Sequence, residues 1–236
     1  MIAQLRTRIA DGYRLRTLSR VAQKVREQRL TYLTPAKLCT LERCLRRIEA
    51  NNVEGDCAEF GVALGGSAIL ISALMGPRRA FSGFDVFDTI PPPSARDAPD
   101  SHARYAVIAS GQSQGIGGDR YYGYENKLYE KVCRHFSRFG IPVDGRRIRL
   151  VKGLFEETVS FPPGQALAFA HIDCDWHDPV ALCFAKTYER LSRGGVILLD
   201  DYNDYGGCRT ATKAFLAAHT DMQLVDDAHN AVLVRT

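Results

Sequence analysis

Short apolar runs alternate with helix-periodic segments from Asp56 onward. This alternation is typical of a parallel β-sheet whose strands are joined by crossover helices. The sequence therefore predicts an α/β fold with a mostly parallel sheet. The predicted strands lie near residues 57–61, 80–85, 147–152, 167–173 and 194–200, and the predicted helices lie near residues 66–75, 124–139, 178–191 and 207–219.

Two further apolar runs, 222–225 and 231–234, come near the end of the chain. Polar residues separate them, including Asp226, Asp227 and Asn230, and such residues are common in turns. The pattern predicts an antiparallel hairpin at the edge of the sheet.

Residues 1–50 have a helical pattern, with apolar residues at intervals of three and four and basic residues between them. Thr34 and Pro35 are suited to cap and begin a second helix there. We interpret this stretch as a helical arm that packs its apolar stripe on the body, residues 51–236, or on another subunit of a homo-oligomer, rather than on a membrane or nucleic acid. Eight basic residues crowd its first thirty positions: Arg6, Arg8, Arg14, Arg16, Arg20, Lys24, Arg26 and Arg29.

The composition narrows the class of protein. A chain of 236 residues with 45% apolar content fits one catalytic domain. The excess of 31 Lys and Arg over 27 Asp and Glu is too small and scattered to predict a nucleic-acid partner. Seven cysteines without a C-x-x-C pair favour a reducing compartment. The apolar stretches are far shorter than the ~20 residues of a membrane span, and no apolar signal core stands at the amino terminus, so we expect a cytoplasmic protein.

Residues 88–122 interrupt the alternation. They contain Pro91, Pro92 and Pro93 and then four glycines, with no convincing period. A structureless insertion of this length is usually a lid or binding loop, or else disordered. Because it follows the carboxyl end of a predicted strand, where open parallel sheets bind ligands, we favour the lid.

A glycine-containing turn, Glu59 to Ser67, joins the first predicted strand to its helix. Glycines let a backbone approach a ligand closely, and the start of a helix offers free N–H groups. The spacing matches neither the dinucleotide-binding G-x-G-x-x-G pattern nor a phosphate-binding loop. Asp85 ends the next strand, where a carboxylate can accept both hydroxyl hydrogens of a ribose. Together they predict a cofactor with an adenosine group, either NAD or S-adenosylmethionine.

Two clusters of acids end the next pair of neighbouring strands. Asp173 and Asp175 follow one strand, and Asp200, Asp201 and Asp204 follow the other. These carboxylates would repel one another strongly unless a cation lay among them. Oxygen ligands favour magnesium, manganese or calcium over zinc.

A metal beside a sulfonium cofactor can lower the pKa of a substrate hydroxyl and orient it toward the methyl group. Asp173 or Asp175 could then act as the general base. His177 is a further candidate for the base, but it directly precedes Asp178 and Pro179, which suit a helix start, so we favour a solvent-facing or cap-adjacent histidine.

The sequence resembles the magnesium-dependent O-methyltransferases of the macrocin O-methyltransferase (TylF-like) type, which methylate sugar hydroxyls in antibiotic biosynthesis. The resemblance covers residues 50–220 in order. It departs from the family at His177, where a tyrosine is usual, and over 91–118, which aligns with no substrate loop. The matching stretches are Glu54–Ser67, Phe84–Asp88, Val151–Thr158, His171–Asp178 and Gly194–Tyr202, with Cys208 and Arg209 beyond.

The resemblance implies a class I methyltransferase, Rossmann-like sheet that binds S-adenosylmethionine and Mg²⁺ (or Mn²⁺). It also implies cofactor contacts at Glu59, Gly61, Ser67 and Asp85, with the adenine near Gly153 and Phe155. The implied metal ligands are Asp173, Asp200 and Asp201, with Asp173 as base and Asp175 as the alternative base.

The predicted function is therefore methyl transfer to a hydroxyl of a sugar, a glycosylated natural product or a similar polyol. A nicotinamide-dependent oxidoreductase is an alternative, but it would need the classical glycine spacing and a Tyr-x-x-x-Lys pair or a catalytic histidine, which we do not find. A noncatalytic carbohydrate-binding or assembly protein is another alternative. The acids at both strand ends argue against it.

Overall fold

The computed structural model describes residues 14–236, so the predictions for Arg6 and Arg8 lie outside the described residues. The described part contains one seven-stranded sheet with helices on both faces. The strands are β1 (Asp56–Phe60), β2 (Phe81–Asp85), β3 (Ile148–Lys152), β4 (Leu167–Ile172), β5 (Leu191–Leu199), β6 (Met222–Asp226) and β7 (Ala231–Arg235). The helices are α1 (Arg20–Glu27), α2 (Pro35–Ala50), α3 (Gly66–Leu74), α4 (Pro99–Ala109), α5 (Leu128–Arg138), α6 (Phe155–Thr158), α7 (His177–Tyr188) and α8 (Gly206–Ala218).

The strand order is β3-β2-β1-β4-β5-β7-β6. Strands β1 to β5 are parallel, whereas β7 is antiparallel to both β5 and β6. The predicted mostly parallel sheet and its carboxyl-terminal edge hairpin are thus confirmed. The order reverses between β1 and β4, and such a switch point leaves a crevice at the carboxyl ends of the strands.

Both faces of the sheet are buried, as expected for parallel strands covered by helices. In β4, Phe169 packs into the core on one face and Ala170 into the core on the other. Helix α2 packs on the first face, with Leu38, Leu41 and Leu45 fully buried. The predicted apolar stripe therefore lies against the body of the same chain.

The start of α2 forms as the sequence predicts. The Thr34 side chain accepts a hydrogen bond from the backbone N–H of Lys37, and Pro35 occupies the first turn. This capping fixes where α2 begins and so places Lys37 in its first turn.

Residues 88–122 differ from the prediction of an insertion without regular structure. They contain α4 and a short 3₁₀ turn, Ile116–Gly118, and a second 3₁₀ turn, Tyr122–Tyr124, begins at their end. Helix α4 buries only Ser101 and Ile108, so it has no apolar stripe that periodicity could reveal. The predicted helix at 124–139 begins only at Leu128, after Lys127 in a left-handed conformation (φ 68°).

Within residues 14–236, no helix has the length and apolar character needed to cross a membrane.

Candidate cofactor and metal site

Two cavities open at the carboxyl ends of the parallel strands. The Trp176 cavity, of about 350 Å³, is lined by residues that include Pro91, Gly153, Phe155 and Trp176. The Lys37 cavity, of about 360 Å³, is lined by residues that include Lys37, Ser67, Arg104 and Tyr205. The residues that line both cavities are Gly61, Asp85, Tyr122, Asp173 and Asp175.

Gly61 joins the two sides of this site. Its φ is +90°, and a Cβ atom there would lie 1.8 Å from the backbone oxygen of Asp173. The Asp173 N–H in turn donates to the carbonyl of Phe60 at 2.8 Å. Only glycine lets β1 and β4 end in this contact, so the predicted cofactor turn lies directly against the first acid cluster.

Asp85 organises two loops at the same edge. One carboxylate oxygen accepts hydrogen bonds from the N–H groups of Val62 (2.7 Å) and Ala63 (2.8 Å), and the other accepts one from Phe87 (2.5 Å). Ala63 and Phe87 both have positive φ, 46° and 48°, a conformation that costs on the order of 1–3 kcal/mol for each residue. Asp85 therefore stabilises two strained turns.

The same carboxylate lines both cavities. Burial raises the pKa of Asp85, although its three backbone hydrogen bonds act in the opposite direction. A carboxylate has about four acceptor positions, so three backbone donors leave room for a ligand hydroxyl. Asp88, an exposed acid three residues later, also lines both the Trp176 cavity and an open groove beside it.

Glu59 lies behind the cavities rather than in them. It is fully buried, and its Oε1 is 2.8 Å from Nδ1 of His171, its partner in the register of β1 and β4. Burial raises the pKa of Glu59. Burial alone would lower the pKa of His171, but the hydrogen bond and charge of Glu59 outweigh it, and the pKa of His171 is raised. The described residues that line the two cavities do not include Glu59.

The other predicted cofactor residues divide between the cavities. Ser67, in the first turn of α3, lines the Lys37 cavity, whereas Gly153 and Phe155 line the Trp176 cavity. The N–H of Gly153 donates to the carbonyl of Asp85 at 3.0 Å, which ties the end of β3 to β2. Phe155 begins α6, a short helix that the sequence did not predict.

Asp173, Asp200 and Asp201 converge at the adjacent ends of β4 and β5. One carboxylate oxygen from each lies within 4.8 Å of the others. The convergence follows from the register, in which Ile172 is opposite Leu199, so the next residue of each strand is an aspartate at the same edge. The structure thus brings together the three acids that the sequence selected.

The electrostatics of this cluster favour a bound cation. Burial, followed by the charge of Asp200, raises the pKa of Asp173 well above its ordinary range. Burial and the charges of Asp175 and Asp173 do the same to Asp201. Burial also raises the pKa of Asp175 to about 6, although the hydrogen bond with Asp201 opposes this. A divalent ion would relieve the repulsion, and an all-oxygen ligand set fits Mg²⁺ or Mn²⁺.

Two residues that sequence reasoning missed bind Asp200. The ammonium group of Lys37 donates to Asp200 Oδ2 at 2.7 Å, and Asn230 Nδ2 donates to Asp200 Oδ1 at 2.8 Å. Lys37 is one of many basic residues in the amino-terminal helices, and the sequence pattern indicated only that Asn230 is a turn residue. No local pattern in the sequence distinguishes either one.

Residues 88–122 form one wall of the Lys37 cavity. Arg104, from α4, lines it, and its guanidinium lies 5.7 Å from the centre of the Tyr121 ring. At the mouth, the half-exposed ring of Tyr32 meets the edge of the Tyr122 ring at 5.9 Å. The segment therefore lies over the crevice, as predicted from its place directly after a strand.

His177 belongs to another part of the surface. Its ring Nδ1 is 2.8 Å from Asp178 Oδ1, and its backbone N–H donates to Asp97. The side chain lines a groove between α7 and α8, and the described residues lining the Trp176 and Lys37 cavities do not include it. This geometry leaves Asp173 and Asp175 as the candidates for the base. Trp176 beside it lines its cavity and donates from Nε1 to the carbonyl of Pro91 at 3.0 Å.

The sheet order, with its antiparallel seventh strand, and the cavities at the switch point define a class I methyltransferase fold. The solved structure of the O-methyltransferase NovP shares this fold with a TM-score of 0.72 at 23% identity, covering 88% of this chain and 82% of that one. A second structure, the O-methyltransferase TomG from Streptomyces achromogenes in complex with SAM, has a TM-score of 0.55 at 12% identity, covering 92% and 90% of the two chains.

The family model for macrocin-O-methyltransferase (TylF) matches residues 15–233, and the chain belongs to this family. A curated relative from Streptomyces olivaceus, 8-demethyl-8-(2,3-dimethoxy-alpha-L-rhamnosyl)-tetracenomycin-C 4'-O-methyltransferase, is 29% identical over 180 residues. That alignment covers 74% of this chain and 63% of the relative, so the chain spans somewhat less than two thirds of the relative's length.

Proposed function

We propose that this protein transfers a methyl group from S-adenosylmethionine to a hydroxyl of a sugar on a glycosylated small molecule, with the help of a divalent cation. The observation that carries the proposal is the meeting of two cavities at Gly61, Asp85, Tyr122, Asp173 and Asp175. A cofactor in the Trp176 cavity would face a substrate in the Lys37 cavity across these acids. Membership of the macrocin-O-methyltransferase family supports the same reaction.

The Trp176 cavity suits the adenosine part of the cofactor. Phe155, Pro91 and Trp176 supply an apolar lining, and Asp85 can accept hydrogens from a ribose. The methionine part would reach past Gly61 to Ser67 at the start of α3, so it would share the Lys37 cavity with the substrate. In this arrangement Gly61, Ser67, Asp85, Gly153 and Phe155 contact the cofactor. Glu59, which was also predicted from the sequence, lies behind the cavities with His171 and makes no contact with the cofactor in this arrangement.

Asp173, Asp200 and Asp201 would hold Mg²⁺ (or Mn²⁺). When bound, such an ion lowers the pKa of a nearby hydroxyl and orients its oxygen. Bound S-adenosylmethionine would supply the methyl group: the substrate oxygen would bond to the methyl carbon as the bond from sulfur to that carbon breaks, leaving a neutral thioether. The hydroxyl proton passes to a carboxylate oxygen of Asp173 or Asp175.

The Lys37 cavity suits a sugar. Tyr32, Tyr121, Tyr122 and Tyr205 line it, and tyrosines combine an apolar ring with a hydroxyl that can hydrogen-bond. The Streptomyces olivaceus relative is named for a rhamnosyl substrate, which supports a sugar hydroxyl as the acceptor here. Self-association and a cytoplasmic location stay predictions from the sequence.

Calorimetric titration with S-adenosylhomocysteine, with and without Mg²⁺, tests the proposal, using NAD⁺ as a competing ligand. We expect S-adenosylhomocysteine to bind and NAD⁺ not to bind. Binding of NAD⁺ in its place would favour the oxidoreductase, and binding of neither would contradict the assignment of the Trp176 cavity.

The variant Asp173→Asn separates an enzyme from a noncatalytic carbohydrate-binding protein. We expect it to fold, because the amide has the same shape, and to lose methyl transfer by at least about 100-fold, as variants of general bases commonly do. Asp227→Asn, an exposed acid of the β6–β7 turn, is the matched control. Unchanged biological activity of Asp173→Asn would favour the binding protein.

A further inference from the structure

The carboxylate of Asp200 is held from two sides by residues from opposite ends of the chain. Lys37 lies in the first turn of α2, and Asn230 directly precedes β7. Each binds a different oxygen of Asp200. Asp200 is one of the three acids proposed to hold the metal, so these contacts bear on how the site is built.

All three donors of the Lys37 ammonium group have hydrogen-bond partners in the protein. Its ammonium donates to Asp200 Oδ2 (2.7 Å), to the Asp200 backbone carbonyl (3.1 Å) and to Asp204 Oδ2 (2.6 Å). An ammonium has three donors, and all three are used here. The side chain is only 13% exposed. Lys37 therefore has no donor free for a substrate, although it lines the cavity.

Asn230 reaches Asp200 because of the sheet register. Ala231 of β7 is opposite Leu199 of β5, which places the preceding Asn230 beside the following Asp200. Asn230 is fully buried, and its Oδ1 has no hydrogen-bond partner among the described residues. A buried amide with one unpaired oxygen costs free energy, so packing alone does not account for asparagine here.

We propose that Lys37 and Asn230 are positioning residues that fix the orientation of the Asp200 carboxylate for the metal. The inference rests on the proposed metal site. Hydrogen bonds to the outer atoms of metal ligands commonly change metal affinity by about 10–100-fold. With Asp200 held on both oxygens, the site keeps its shape before the ion arrives, and α2 and the turn before β7 both contribute to that shape.

A different role for Lys37 would give the opposite result. Lys37 is a positive charge in contact with an acid that the ion would use, so it could simply neutralise the cluster and compete with the ion. Removing a competing cation would strengthen metal binding, whereas removing a positioning residue would weaken it. The direction of the change in affinity therefore separates the two roles.

Titration of the full chain with Mn²⁺, followed by electron paramagnetic resonance of the free ion, measures this directly. We expect Lys37→Met and Asn230→Leu each to weaken Mn²⁺ binding about 10–100-fold. Lys37→Arg keeps the charge but not the compact tripod of contacts, so it should also bind Mn²⁺ more weakly than wild type. The matched controls are Lys213→Met and Asn51→Leu, both exposed and both away from the acid cluster, which should bind as wild type does.

Circular dichroism and thermal unfolding establish that each variant is folded. If Asn230→Leu does not fold, Asn230→Ser replaces it, because the short hydroxyl side chain does not reach Asp200. If the wild-type protein binds Mn²⁺ and the folded Lys37 and Asn230 variants bind it with the same affinity, this inference is overturned but the metal site is not. Tighter Mn²⁺ binding by Lys37→Met would have the same consequence. Absence of Mn²⁺ binding by the wild-type protein would overturn the metal site and this inference with it.

Discussion

Single residues at the carboxyl edge of the sheet carry contacts that other residue types cannot make. Gly61 brings the end of β1 against the backbone of Asp173, and Asp85 holds the strained turns at Ala63 and Phe87. These contacts fix the cofactor turn relative to the acids. Changes at these positions should therefore affect binding of a cofactor more than changes at other glycines or acids.

Gly61→Ala tests this expectation. The added Cβ would lie 1.8 Å from the Asp173 oxygen, a distance that the backbone must relieve by moving. We expect a loss of about 3 kcal/mol or more in the free energy of unfolding, together with weaker binding of S-adenosylhomocysteine in calorimetry.

Gly164→Ala is a matched control. Gly164 also has a positive φ, +77°, but nothing lies within 4 Å of an added Cβ. This variant should lose only the roughly 1–2 kcal/mol of a left-handed residue and should bind S-adenosylhomocysteine as wild type does. Equal effects of the two substitutions would show that the contact with Asp173 does not matter.

His135 gives a prediction about pH. It lies on α5, and its Nδ1 is 2.9 Å from the carbonyl of Leu64 in the cofactor turn. Burial lowers the pKa of His135 below its ordinary value of 6.5. The unfolded chain therefore binds a proton at His135 more readily than the folded chain does. The stability that this neutral histidine contributes is complete above about pH 6.5. It is lost as the pH falls through the lower pKa of the folded state.

We expect His135→Gln to flatten the loss of unfolding free energy between pH 7 and pH 5, measured by urea denaturation. Glutamine can still donate to the Leu64 carbonyl but does not take up a proton. His102→Gln, at an exposed position on α4, is the control. The same acid dependence in His135→Gln and wild type would contradict the assignment to His135.

At the scale of elements, residues 88–122 are attached to the body through the starts of two helices. Asp97 accepts a hydrogen bond from the N–H of His177 at the start of α7. Asp100 accepts one from the N–H of Gly206 at the start of α8. Acids at helix amino termini are electrostatically favourable. The segment that forms a wall of the Lys37 cavity is thus anchored at two points.

Asp97→Ala should loosen this segment without unfolding the sheet. Asp97 also accepts a hydrogen bond from the N–H of Ser94, so the change removes both the contact with α7 and the bond that closes the turn at residues 94–97. We expect faster amide hydrogen exchange over residues 94–109 and unchanged exchange in β1 and β4. Asp119→Ala is the control, because Asp119 lies in the same segment and its removal breaks only an exposed ion pair with Arg29. It should leave exchange over residues 94–109 unchanged. An equal increase in exchange in both variants would contradict the anchoring role.

The elements differ in how far the sequence predicts them. Strands β4 and β5 are predictable because continuous apolar runs end in aspartates, and parallel neighbours must present those ends together. Helix α4 is not, since it buries too little apolar surface to show a period. Asp173, Asp200 and Asp201 follow from the strands, but Lys37 and Asn230 depend on contacts between distant segments that only the fold creates.

At the scale of the whole molecule, the site draws on nearly every part of the described chain. The strand order places the switch point between β1 and β4, and the cavities form there. Lys37 of the amino-terminal α2 and Asn230, just before the carboxyl-terminal β7, both contact Asp200. Ligand binding at such a site should stabilise the entire domain.

Thermal unfolding in the presence of ligands tests this coupling. A ligand at 100 times its dissociation constant stabilises the folded state by about 2.7 kcal/mol. We expect S-adenosylhomocysteine and Mg²⁺ each to raise the unfolding temperature, and EDTA to reverse only the effect of the metal. An unfolding temperature that responds to neither would contradict a site at the switch point.

The most direct test of the central claim is transfer of a deuterated methyl group from labelled S-adenosylmethionine to a glycosylated acceptor, followed by mass spectrometry. The proposal predicts a product heavier by one labelled methyl on a sugar oxygen, formed with Mg²⁺, lost with EDTA and lost in Asp173→Asn. If label transfer persists unchanged with EDTA and in Asp173→Asn, the metal-assisted mechanism is contradicted. If no label is transferred to any member of a panel of glycosylated natural products, the proposed reaction is contradicted.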